Sequence, residues 1–148
     1  MLCRALICAC LAIAGPCPAV RADAPIYYAP GGIALSGYDV VAYYTEGRAV
    51  PGDADYALSW RGAIWYFTGP ETLMAFEMNP DAYAPQFGGY CAYAVGEGHP
   101  GPSRPDAFFL RDGRLYFLDS RAMADQPAAA LDAIVARAKA HWPAVLGE

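Results

Sequence analysis

The chain opens with a continuous apolar run, Ala5 to Gly15, behind a single basic residue, Arg4, and then changes character. At 11 residues the run is shorter than the roughly 20 that a membrane-crossing helix needs, and Val20-Arg21-Ala22 has the small-x-small pattern of a leader cleavage site. Residues 1–22 are therefore predicted to be a removed signal peptide, leaving Asp23 as the new N-terminus. No later stretch is continuously apolar at membrane length.

After the leader, apolar and polar positions alternate with turn-forming residues. Asp23 to Leu35 is apolar but broken by Pro25, Pro30, Gly31 and Gly32, the pattern of an extended arm over 23–35. Ser36 to Tyr44 follows, with Asp39 placed to cap one short helical turn. Tyr56, Leu58 and Trp60 alternate with Ala57 and Ser59. Arg61-Gly62 then separates this run from Ala63 to Phe67, which predicts a β-hairpin with one packed face. Thr68-Gly69-Pro70-Glu71 has the spacing of a capping box for a helix that carries Leu73 and Phe76 and ends near Asn79-Pro80. One more turn is expected over Asp81 to Tyr83.

Residues 96–105 hold three Pro and three Gly and read as loop. Phe108 to Arg111 and Arg114 to Leu118 flank Asp112-Gly113, a strong type I′ hairpin signal. Pro127 precedes Leu131, Ile134, Val135, Ala138 and Trp142, whose spacing marks one face of a closing helix over about residues 127–142. No internal repeat is visible. The elements do not alternate as βαβ, so the expected fold is α+β: a small antiparallel sheet from two hairpins packed with two or three short helices, in a single domain over residues 36–148.

Composition sharpens this picture. Arg4 and Arg21 leave with the leader, so 8 basic residues face 15 acidic ones. Such a chain, with Lys139 as its one lysine, offers no footprint for nucleic acid or anionic lipid. Of five cysteines, Cys3, Cys8, Cys10 and Cys17 fall in the leader, and only Cys91 remains. An exported chain with one thiol has no internal disulfide, and the thiol is buried and inert, paired with another molecule, or chemically active.

Four segments occur in order: Gly37-Tyr38-Asp39-Val40-Val41-Ala42-Tyr43-Tyr44, Ala63-Ile64-Trp65-Tyr66-Phe67, Asn79-Pro80-Asp81-Ala82-Tyr83-Ala84-Pro85, and Gly88-Gly89-Tyr90-Cys91-Ala92-Tyr93-Ala94-Val95. Together they resemble the secreted bacterial branch of the YHS-domain family, over most of residues 33–118. The resemblance implies a small metal-binding module, related to domains found beside copper-transporting ATPases and some oxygenases, in a periplasmic or secreted location. The metal-binding version of that family has a cysteine in its opening motif and others after the aromatic strand. Here those places read Leu35-Ser36-Gly37-Tyr38 and Thr68-Gly69.

Three readings of the chemistry follow. In the first, Cys91 holds or delivers a metal ion, copper above all because thiolate suits Cu(I), with help from His99, His141, Met74, Met78 or Met123, or from a periplasmic protein partner. Cys91 and His99, eight residues apart, are the named metal candidates. In the second, Cys91 is a buried small hydrophobe, and tyrosines such as Tyr38, Tyr66, Tyr90 and Tyr93 line an aromatic pocket for a ligand. In the third, Cys91 is a redox thiolate resolved by an outside thiol, although no CxxC accompanies it. Asp39 and Glu71 are accounted for as caps and His141 as a helix-end cation. There is no Ser-His-Asp signal, phosphate loop, HExxH or paired carboxylate, so the sequence gives no positive sign of an enzyme.

Overall fold

The computed structural model describes residues 23–147; the predicted signal peptide lies outside the described residues. The fold is α+β. In chain order it contains α1 (Ala42–Thr45), the antiparallel strands β1 (Asp53–Trp60) and β2 (Ala63–Phe67), α2 (Pro70–Met78) and α3 (Pro80–Tyr83). After these come α4 (Ala92–Gly96), the antiparallel strands β3 (Phe108–Arg111) and β4 (Arg114–Phe117), α5 (Arg121–Ala124) and α6 (Ala128–His141). The two hairpins remain two separate two-stranded sheets.

Each hairpin turns on two residues of positive φ, Arg61 (46°) with Gly62 (79°) and Asp112 (51°) with Gly113 (69°). This is the mirror-image turn that matches the right-handed twist of paired strands. In the first hairpin the packed face belongs to β2, where Ala63, Trp65 and Phe67 are buried, while Tyr56 on β1 stays exposed. β4 is buried on both faces, and its alternation divides the interior. Leu115 and Phe117 join Val41, Tyr43, Trp65, Phe67 and Phe76 in one cluster; Tyr116 and Leu118 join Cys91, Val95, Phe109, Ile134 and Val135 in the other.

Around these two clusters the chain repeats one order of elements. Leu35, Ser36 and Gly37 (φ 51°, 55° and 84°) form a left-handed turn, as do Phe87, Gly88 and Gly89 (φ 53°, 61° and 79°). Each turn passes through an extended tyrosine, Tyr38 or Tyr90, to Asp39, three residues ahead of α1, or Cys91, directly ahead of α4. A hairpin with a two-residue turn and then a helix complete each half. Gly37-Tyr38-Asp39 and Gly89-Tyr90-Cys91 lie 52 positions apart. The repeat escapes the sequence because little beyond Gly-Tyr is shared.

Two local expectations need correction. The arm is extended only at its start: Pro30–Gly32 and Ala34–Gly37 are tight turns with positive φ at Gly31, Leu35 and Ser36, and Tyr27, Ala34 and Leu35 are buried. Its apolar side chains find core partners, and so it packs. The capping box at Thr68 does not form either. Gly69 occupies the N-cap of α2 without a side-chain bond, because Thr68 is engaged elsewhere.

That engagement is with Asp39, which is fully buried. Its Oδ1 accepts from the N–H groups of Val41 (2.8 Å) and Ala42 (3.4 Å), the capping role expected of it. Its Oδ2 accepts from the Thr68 N–H (2.8 Å) and the Thr68 hydroxyl (2.9 Å). The Asp39 N–H donates to the Val50 carbonyl at 2.9 Å. A bare carboxylate is costly to bury, and here four donors offset that cost. Asp39→Ala strands those donors and lowers stability by about 3 kcal/mol or more, whereas Thr68→Val removes one of them and costs about 1–2 kcal/mol. Urea denaturation of both variants checks this, and equal losses would contradict it.

Candidate functional site

Cys91 occupies in the second half the position that Asp39 holds in the first, and it is 1% exposed. Its N–H donates to the Gly101 carbonyl at 3.1 Å, its carbonyl accepts from the Val95 N–H at 3.0 Å, and it bridges to Phe117 of β4. Its sulfur faces the backbone N–H groups of Ala94, Tyr93 and Asp119. By the repeat and the hairpin register these correspond to Ala42, Val41 and Thr68, the donors to Asp39. Burial is the larger effect and pushes the Cys91 thiol up, against the pull of those N–H groups. No side-chain cap hydrogen bond forms, and the thiol packs as a small hydrophobe.

Of the other metal candidates, Met123 is half-buried and packs against the cluster that contains Cys91. His99 is exposed on the Gly/Pro loop, anchored by its own N–H to the Ala94 carbonyl at 3.2 Å, and no hydrogen bond joins its ring to the thiol. Met74 (58% exposed) and Met78 (80%) project from α2 into solvent. His141 Nδ1 lies 3.1 Å from the Arg137 carbonyl within its own helix. Among the described residues no three His, Cys, Asp or Glu side chains converge as a metal site would require.

The tyrosines also separate by half. The Tyr66 ring lies over Gly37, beside Tyr38, where a Cβ on Gly37 would come within 3.2 Å of it. Tyr90 is buried, donates its hydroxyl to the Pro25 carbonyl at 2.7 Å and packs 5.5 Å from the Tyr28 ring. Tyr93 points outward with the Arg137 guanidinium 5.5 Å from its ring. Tyr38, Tyr66, Tyr90 and Tyr93 therefore do not line one common pocket.

What the Gly-Gly turn approaches is the arm. The Gly88 carbonyl accepts from the Tyr28 N–H at 2.8 Å, and a Cβ on Gly88 would collide with the Ile26 carbonyl oxygen. Beside this crossing lies a cleft of about 320 Å³, lined by Ile26, Arg61, Asp81, Phe87, Arg114 and Trp142 among others. Sequence reasoning missed it, because its residues come from the arm, the first hairpin turn, α3 and the Gly-Gly turn after it, the start of β4 and the C-terminal segment. One local signal was available: Arg61 stands at a turn position where Asn, Asp or Gly is favoured.

Protein-family models, curated proteins and solved structures were all compared with the chain, and none matches it.

Two predictions follow from this packing. Gly88→Ala adds both a collision and a strained φ, and it loosens the arm: limited proteolysis should cut within residues 23–29 faster than in wild type, and an unchanged rate would contradict the crossing. Burial also raises the pKa of Tyr27, Tyr43, Tyr44 (to about 12), Tyr90 and Tyr116, as it does that of Cys91. These groups keep their protons longer when folded than when unfolded. The stability they contribute is full below the ordinary thiol and phenol values of about 8.5–10 and is lost as pH rises through and above them. Thermal melts from pH 8 to 11 should show a steep fall across that window.

Proposed function

We propose that this chain is an exported, non-catalytic binding module of YHS type, in which Cys91 is a packing residue at a helix-capping position and not a reactive thiol. The observation that carries the reading is the burial of Cys91 at the place where the other half keeps Asp39. Support for export comes from the leader pattern of residues 1–22, and support for the family from the four ordered segments. Burial pushes the Cys91 thiol up, which leaves less thiolate at neutral pH for nucleophilic attack.

Copper binding through Cys91 is the competing reading, and it makes opposite predictions. Under the packing reading, the native protein resists a bulky alkylating reagent and is labelled fully only after denaturation. Cu(I) titration of wild type and Cys91→Ser under reducing conditions then gives indistinguishable curves. Rapid native labelling, or Cu(I) affinity present in wild type and lost in Cys91→Ser, overturns it.

A further inference from the structure

We propose that the cleft flanked by Arg61 and Arg114 is a binding site for an organic monoanion, a carboxylate attached to an apolar body. The inference goes beyond the role given to Cys91 and stands apart from it. The chain is acidic, at a net charge of −5, yet two of its arginines, one from each hairpin, line the same cavity. Arg48, Arg104, Arg111 and Arg137 are each paired with a carboxylate elsewhere on the surface. Among the described residues Arg114 has no carboxylate partner; its one side-chain bond runs to Gln86 Oε1 at 3.5 Å, the outer limit of a hydrogen bond.

Arg61 is fixed from several sides. Its guanidinium lies 4.5 Å from the centre of the Trp60 ring and its Nη2 lies 3.3 Å from Asp81 Oδ1. Its backbone is held at φ 46°, where a long side chain is disfavoured and Asn or Gly would fit at less cost. An unfavourable backbone conformation thus carries one of the two cations at the cleft.

Two guanidinium groups and the Asp81 carboxylate leave one formal positive charge in the cleft, which suits a single carboxylate better than a dianionic phosphate. The guanidinium fork is matched to carboxylate oxygens. The lining is largely polar, but Ile26 and Trp142 give it an apolar part, and Ile26 is 47% exposed although the arm is pinned at Gly88. An apolar body on the ligand would cover that side chain.

Tryptophan fluorescence tests the proposal in the purified chain, because Trp142 lines the cleft and Trp60 lies beneath Arg61. Phenylacetate is the probe, with neutral phenylacetamide and inorganic phosphate as comparisons. The expected result is a saturable change with phenylacetate and binding about tenfold weaker or less for the other two. Arg114→Gln, at an exposed hairpin position, should weaken phenylacetate by roughly tenfold or more. Arg121→Gln, which alters an arginine outside the cleft and likewise without a carboxylate partner among the described residues, should leave binding unchanged. No saturable change with phenylacetate, equal binding of phenylacetamide or phosphate, or full affinity in Arg114→Gln overturns the proposal.

Discussion

A carboxylate without solvent governs the first half of this fold. Asp39 must find acceptor duty for both oxygens, and the four donors that provide it come from two places far apart in sequence, the start of α1 and the exit of β2. Its own N–H fixes a third piece, the Val50 carbonyl ahead of β1. The direction of the short helix, the end of the hairpin and the loop between them are thus set by one residue. In the second half the same backbone plan surrounds a sulfur. Cys91 is a far weaker acceptor than a carboxylate, so apolar packing against β4 and α4 supplies what ionic hydrogen bonds supply around Asp39.

The halves are joined by β4 and by the arm. Leu115 and Phe117 cross into the first cluster, where the Tyr43 ring meets Phe108 at 4.7 Å and Phe117 at 5.1 Å and its hydroxyl donates to the Pro105 carbonyl. The arm works in the opposite sense: Tyr27 packs in the first cluster while Tyr28 lies against Tyr90 of the second. The cleft between Arg61 and Arg114 follows from this joining, since the first hairpin turn and the start of β4 each bring one arginine to the place where the arm crosses.

Local signals carried much of this into the sequence. Arg61-Gly62 and Asp112-Gly113 predict their hairpins because only mirror-image turns suit a two-residue connection, and the α6 face is legible from Leu131, Ile134, Val135 and Ala138. What stayed hidden depends on residues distant in sequence. Thr68 looks like a helix cap until Asp39 is seen to claim it, and the arm reads as extended because its prolines and glycines say nothing of the partners that bury Tyr27 and Leu35. The repeat is a matter of backbone more than of side chains. Left-handed turns need glycine at some of their positions, and here Leu35, Ser36 and Phe87 adopt positive φ as well, which no motif announces.

The Gly-Gly-Tyr-Cys motif therefore has a structural account. Gly88 and Gly89 let the arm and Leu35 approach, Tyr90 holds the arm through Pro25, and Cys91 fills the capping position. The second half depends on Cys91 being a buried, protonated packing residue where the first half keeps Asp39, and the ionisation of the thiol reports on that most directly. The ¹³Cβ shift of selectively labelled Cys91, followed from pH 6 to 10 in the folded chain, should show a thiol that stays protonated through the ordinary thiol range. A titration midpoint near or below neutrality would mean a poised thiolate and would contradict it.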